Sequence, residues 1–133
     1  MNGHHKQMKK HTMIYNAYDV IVVPFPFTDR TTSKRRPALV LSNSSSFNQR
    51  INHSVMAMIT SAKNSQWPLD TTIKDLDSAG LSSSSIVRMK LFTLDNRLVI
   101  RKAGTLSTED QLNVKSSLDK LFNIDIEERS TKP

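Results

Sequence analysis

Cysteine is missing from this chain, and with it go disulfides, thiolate metal sites and thiol nucleophiles. That absence fits a reducing compartment. Only three glycines occur in 133 residues, too few for a phosphate-cradling glycine loop, and no G-x-S-x-G elbow is present. No apolar run approaches the roughly 20 residues of a membrane span. Met1 to Met13 carries Lys6, Lys9, Lys10 and three histidines but lacks the apolar stretch of a secretion signal. The expectation is a cytoplasmic protein without membrane association, carrying a loose basic arm over residues 1–13. Histidine is scarce beyond that arm: His53 stands alone without a carboxylate at ligand spacing, so neither metal nor other cofactor is expected.

Acidic residues are also in deficit. Nineteen Lys+Arg against twelve Asp+Glu give a formal net charge of +7, the balance of a protein that meets nucleic acid, anionic lipid or an acidic partner. The length suits one domain with a single core, placed at residues 14–124 and followed by a polar tail over residues 125–133.

What is present is mostly strand signal. Asp19 to Phe27 is almost continuously apolar, and Pro24 with Pro26 removes backbone donors from one side of its end, as fits an edge or exit. A polar, basic loop from Thr28 to Arg36 leads to a second strand, Pro37 to Leu41, and Ser42 to Asn52 reads as another loop. His53 to Thr60 is a third strand that closes on two hydroxyls, Thr60 and Ser61. After a Trp67-Pro68 corner, Leu69 to Ile73 is a short strand and Lys74 to Ser84 a loop. Ser85 to Leu91 alternates and turns Ile86, Arg88 and Lys90 to one face, giving it a basic character. A turn at Asp95-Asn96 precedes an extended piece from Leu98 to Lys102. Ser107 is the N-cap of a late helix with two carboxylates in its first turn, and Leu112, Val114, Leu118, Leu121 and Phe122 supply its apolar face. The fold class is mainly β, a small barrel or twisted sheet with a C-terminal helix.

The most pointed chemistry lies in Lys34-Arg35-Arg36-Pro37-Ala38-Leu39-Val40-Leu41-Ser42. A proline pushes the residue before it into extended geometry, so the Arg36 backbone is constrained by Pro37 alone. Its forked, permanently charged guanidinium suits a phosphate. A solvated basic loop leading into a core strand is the plainer alternative. Trp67 likewise has two readings, a ring that stacks an unpaired base and a packing corner beside Pro68.

In combination, Tyr18-Asp19-Val20-Ile21-Val22-Val23-Pro24-Phe25-Pro26-Phe27-Thr28-Asp29 and the Lys34 to Ser42 segment resemble the opening of the MazF/PemK family of toxin endoribonucleases. Met58-Ile59-Thr60-Ser61 resembles the family's third strand. Val87 to Asp95 and Ile100 to Ser107 resemble its later half, in the same order, so that the likeness spans about Tyr18 to Phe122. Two departures stand out. Tyr18 occupies a place where the family commonly has glycine, and the loop after Thr28 lacks the Gly-Ser-Glu-Gln pattern of many members.

The resemblance implies an SH3-like barrel that dimerises and cuts single-stranded RNA without metal, leaving a cyclic phosphate and a free 5′ hydroxyl. It also implies a cognate antitoxin whose acidic, flexible tail occupies the RNA groove. The family's catalytic arginine and threonine correspond to Arg36 and Thr60, with Lys34, Arg35, Ser61, Arg88 and Lys90 along the RNA path. Attack by a ribose 2′ oxygen builds negative charge on the nonbridging phosphate oxygens, which a fixed guanidinium and a hydroxyl donor stabilise. His53 suits proton transfer chemically, yet an extended strand puts it about 23 Å from Thr60. Two other functions fit a barrel of this kind: a CcdB-like toxin that binds DNA gyrase without cutting RNA, and a noncatalytic nucleic-acid-binding module.

Overall fold

The computed structural model describes residues 13–25, 34–124 and 126. The expected arm up to residue 12, residues 26–33 between the first two strands and nearly all of the expected tail lie outside them. Six strands, β1 (Asp19–Phe25), β2 (Lys34–Val40), β3 (His53–Ser61), β4 (Thr71–Thr72), β5 (Ser85–Asp95) and β6 (Arg101–Thr105), form one antiparallel sheet in the order β4-β5-β3-β2-β1-β6. Three helices are set among and after the strands: α1 (Gln49–Ile51) between β2 and β3, preceded by a wider π-type turn at Ser44–Asn48, α2 (Leu76–Ala79) between β4 and β5, and the long C-terminal α3 (Thr108–Leu121). This curled sheet with its late helix is the mainly β, SH3-like architecture expected.

Both faces of the sheet are buried. On one, Val20, Leu39, Ala57, Ile59 and Val87 pack with Ile73, Leu106 and Val114 of α3. On the other, Ile21, Val23, Ala38, Val40 and Met56 gather Tyr15 and Leu94. Consecutive residues of β1 through β3 are therefore apolar without alternation, as strands covered on both sides require.

Helix α3 starts where its capping signal says. The Ser107 hydroxyl accepts the Asp110 amide at 3.2 Å. Asp110, 1% exposed, also accepts the backbone amides of Lys74 and Asp75 at 2.9–3.1 Å, tying the helix to the loop before α2. Its apolar face is narrower than expected. Val114 is buried and Leu118 packs on the core, but Leu112, Leu121 and Phe122 are exposed at 63%, 39% and 57%. Leu112 lies two residues from Val114, on the far side of a 3.6-residue turn.

Other boundaries moved for identifiable reasons. The loops expected at Ser42 to Asn52 and Lys74 to Ser84 contain helical turns, because Asn43 and Asp75 cap them by accepting the amides of Ser46 and Ser78. The extended piece expected from Leu98 to Lys102 begins as a 3-10 turn, Asn96–Leu98, capped by Asp95, and strand geometry resumes only at Arg101. Strand β5 continues to Asp95 but its alternation breaks. Ala57 pairs with Leu91 and Met58 with Arg88, so Met89 and Lys90 bulge out of the ladder. Arg88 is consequently buried while Lys90 is exposed. Strand β1 is interior, between β2 and β6, and not an edge.

Tyr18, just before β1, takes φ 74°, the left-handed conformation that glycine adopts without penalty. The turn is held from both sides: the Asp19 amide donates to the Asn16 carbonyl at 3.0 Å, and the Asn16 amide to the Asp19 carboxylate at 2.9 Å.

Candidate active site

Strand β2 begins at Lys34 and not at Pro37, so the basic run lies on a strand and Pro37 sits in its middle. Backbone polarity explains how the sheet tolerates it. Leu41 donates to the Val55 carbonyl of β3, and residues two apart face the same way, so Leu39 and Pro37 also face β3. Pairing with β3, however, covers Ala38 to Val40 and stops there. Pro37 has no donor at the point where the two strands part, and no rung is lost. Pro24 is accommodated similarly: Val22 accepts from Ile100 on the β6 side, so Pro24 faces that side too, past the last β1–β6 pair.

The parting of β2 and β3 makes the site. Ala38 pairs with Met58. Continuing that register by two residues sets Arg36 opposite Thr60, on the same face of the sheet. Arg36 is held on its other side by pairing with Val23 of β1. Arg36 and Thr60 are thus mounted on two rigid strands and look into the gap between them.

Two concavities meet at this pair. The first, of about 420 Å³, is polar and is walled by Arg35, Arg36, Ser61, Ser83 and Arg101. Its far wall is the Gly80–Ser83 turn after α2, which comes this close because Gly80 (φ 72°) and Gly104 leave no atom between α2 and β6. A Cβ on Gly80 would run into the Ala103 carbonyl, and one on Gly104 into the Ser78 carbonyl. The second concavity, about 200 Å³, lies beyond Arg36 and Thr60 and is walled by Phe25, Met58, Trp67, Arg88 and Lys90. Among the described residues lining either concavity there is no carboxylate, and the charged side chains are Arg35, Arg36, Arg88, Lys90 and Arg101.

Asn64 borders both concavities and fixes the Thr60 hydroxyl. Its amide Nδ2 donates to Thr60 Oγ1 at 2.5 Å. A hydroxyl has one proton and two lone pairs; with a lone pair engaged by Asn64, its proton is available to an acceptor in the cleft.

Of the residues expected along an RNA path, Arg35 and Ser61 border the first concavity and Arg88 and Lys90 the second. Lys34 is exposed at the start of β2, paired with Phe25, and borders neither. Arg88 is held by three hydrogen bonds and a ring contact. Its Nε and Nη2 donate to the two oxygens of Asp70 at 3.1 and 2.9 Å, Nη2 donates again to the Ser65 carbonyl, and the guanidinium lies 4.9 Å from the Trp67 ring centre. Burial works against ionisation of Asp70, but the hydrogen bonds from Arg88 and the Trp67 amide and the charge of Arg88 outweigh it and hold the carboxyl below the usual carboxylate range. In return, the Asp70 hydrogen bond raises the Arg88 pKa. Lys90 places its Nζ 5.8 Å from the Phe25 ring centre.

Asn64 and Arg101 were missed from the sequence. Asn64 sits in a polar loop among many similar residues, with no local signal. Arg101 joins the site because it pairs with Val22, which pairs with Pro37, a long-range register that the sequence does not display. His53 lies at the opposite end of β3 from Thr60, with Nδ1 2.8 Å from the Ile51 carbonyl. Among the described residues no group of three or more His, Asp or Glu side chains is placed to hold a metal ion, and no helix is long and apolar enough to cross a membrane.

Comparison with known proteins gives the same region a family. The model for the PemK-like, MazF-like toxin of type II toxin-antitoxin systems matches residues 16–122. Among solved structures, a MazE-MazF complex from Deinococcus radiodurans superposes with a TM-score of 0.67 at 20% identity, covering 85% of this chain and 100% of the other. An endoribonuclease from a mycobacterial species gives 0.66 at 12% identity over 87% and 98% of the two chains. The toxin MazF-mt6 of Mycobacterium tuberculosis gives 0.63 at 16% identity over 81% and 99%. At these identities the likeness establishes the fold. No curated protein matches the chain.

Proposed function

The chain belongs to the PemK-like, MazF-like toxins of type II toxin-antitoxin systems, and from that premise we propose that it is a metal-independent endoribonuclease acting on single-stranded RNA. The observation that carries the proposal is the placement of Arg36 and Thr60 across the parting of β2 and β3, in a cationic cleft with no lining carboxylate among the described residues.

The reaction is a transesterification. The ribose 2′ hydroxyl loses its proton to water as its oxygen attacks the neighbouring phosphorus, the P–O5′ bond breaks, and the leaving 5′ oxygen takes a proton from water, giving a 2′,3′-cyclic phosphate and a 5′ hydroxyl. Negative charge grows on the nonbridging oxygens as the phosphorus becomes five-coordinate. A guanidinium held by strand pairing and by Pro37 meets that charge without reorganising, and such a donor typically supplies about 3 kcal/mol of transition-state stabilisation. Thr60, with its hydroxyl acceptor side engaged by Asn64, donates its proton to the same phosphate, and its branched side chain has few rotamers in which to miss. Arg35, Arg101 and Ser61 guide the strand through the first concavity, Lys90 through the second, and Lys34 adds long-range attraction from its exposed position.

A cognate antitoxin follows from membership of a toxin-antitoxin family. A complex with its antitoxin is known for an endoribonuclease of similar fold from a mycobacterial species. Here an acidic, flexible segment would compete with RNA for the same cations, and the protein acts as a cytoplasmic homodimer. Sedimentation at micromolar concentration tests the dimer, and a monomer would contradict it. Analysis of cleaved RNA ends tests the chemistry: 5′ hydroxyl and cyclic phosphate termini are expected, and 5′ phosphate termini would overturn the transesterification.

A further inference from the structure

The second concavity contains features that phosphate chemistry does not use. Trp67 is the chain's single tryptophan, and it is 42% exposed at the wall of a space that also touches Arg36, Thr60 and Asn64. It is not a loose surface ring. Its amide donates to Asp70 Oδ2 at 2.9 Å, Asp70 grips Arg88 through both oxygens, and Arg88 lies over the indole at 4.9 Å. With side-chain exposures of 10% each, Arg88 and Asp70 form a shielded ion pair. Nε and Nη2 of the guanidinium are engaged by Asp70 and the Ser65 carbonyl, which fixes Arg88 as a flat, weakly hydrated support beside the indole. Phe25 and Lys90 complete the wall, with Lys90 Nζ 5.8 Å from the Phe25 ring centre.

We propose that this concavity is a nucleobase subsite, in which the exposed Trp67 ring, braced by Arg88, receives the base of a nucleotide adjoining the phosphate held by Arg36 and Thr60. The inference rests on the endoribonuclease reading. Its volume of about 200 Å³ falls below the roughly 300–1,000 Å³ of pockets for drug-sized ligands, which suits a single ring system and not two stacked nucleotides. Aromatic rings bind bases through a π-face that every base offers, and Arg planes extend that surface. The polar groups at the inner edge, the Asn64 amide and Lys90 ammonium, supply edge contacts that discriminate among bases. Asp70 acts here as a positioning residue through Arg88.

The single tryptophan makes the subsite directly observable. The full chain is titrated with short 2′-O-methyl oligonucleotides, which lack the attacking hydroxyl. Indole fluorescence is followed together with the anisotropy of a labelled strand, and an abasic oligonucleotide of equal length serves as control. Saturable quenching by the base-bearing strands and little by the abasic strand is the expected result. Anisotropy showing binding with no quenching, or equal quenching by the abasic strand, would overturn the subsite while leaving the nuclease reading intact. No binding of any strand would overturn both. In cleavage, Trp67→Ala is expected to raise KM by roughly 5- to 150-fold, the range that stacking one base supplies, with a smaller change in kcat. Trp67→Phe should retain most of the affinity. Variants of equal KM, both folded by circular dichroism, would contradict the subsite.

Discussion

Asn64 donates to Thr60 Oγ1 at 2.5 Å from four residues further along the chain, a contact that fills one lone pair of the hydroxyl and leaves its proton for another acceptor. Asparagine and aspartate have the same shape here but opposite roles, since a carboxylate can only accept. Asn64→Ala should slow cleavage about 5- to 10-fold, in line with a net hydrogen bond near 1 kcal/mol. Asn64→Asp should cost roughly 100-fold or more, because it recruits the Thr60 proton and adds a repelling charge. Single-turnover rates read the order of the two variants. Equal losses would mean that Asn64 only supports the loop.

Thr60 itself separates hydroxyl from shape. Thr60→Val keeps the branched side chain and removes the donor, and should lower kcat by roughly 100- to 1,000-fold with KM little changed. Thr60→Ser keeps the donor with more rotamers and should stay within about tenfold of the native rate. Steady-state kinetics on one RNA substrate measures both. A valine variant as fast as the native protein would remove Thr60 from the chemistry.

Much of this architecture is legible in the sequence, and the failures share a cause. The third strand and the Ser107 cap are written in local patterns, apolar runs for the first and a hydroxyl followed by two carboxylates for the second, and both fall within a residue of the observed ends. Arg36 and Thr60 are identifiable through family resemblance, but their opposition depends on a β2–β3 register that stops at Ala38, and nothing local encodes it. The β5 bulge illustrates the same limit. Alternation put Arg88 and Lys90 on one face, whereas the two bulged residues bury Arg88 against Asp70 and Trp67 and leave Lys90 outside. Helix α3 reads as broadly apolar because Leu112, Leu121 and Phe122 are apolar, yet the residues packed on the core are Val114 and Leu118, with Asp110 above them tied to the loop before α2.

The Asp70 ion pair carries a pH signature. Its carboxyl titrates below the usual value in the folded chain, so its stabilisation is complete above the ordinary carboxylate pKa and fades as pH falls through the lowered one. Asp95, held at about 2 mainly by hydrogen bonds from Arg97, follows the same sign. Asp70→Asn should therefore lower the melting temperature at neutral pH and flatten its fall as pH drops below the ordinary carboxylate pKa of about 4. Thermal melts across that range provide the check. An unchanged acid dependence in the variant would show that the pair contributes nothing to folding.

Gly104 tests how α2 is seated behind the first concavity. An alanine there would place its Cβ against the Ser78 carbonyl, and backbone cannot yield as a side-chain tip can. Gly104→Ala should cost about 1–3 kcal/mol, the range of overpacking, visible as a lower denaturation midpoint. Cleavage should fall as well, since the Gly80–Ser83 turn forms the cleft wall. A variant of native stability would mean that α2 moves away freely.

Stabilisation of the phosphate by a strand-mounted Arg36 is the core of the proposed mechanism. Its most direct measurement is the rate at which the full chain and Arg36→Ala cut a long, unstructured single-stranded RNA in the presence of EDTA. Cleavage by the native chain without divalent metal is expected, with a loss of roughly 100- to 1,000-fold in the variant and both proteins equally folded. Intact RNA with the native chain across several substrates, or native-speed cleavage by Arg36→Ala, would contradict it.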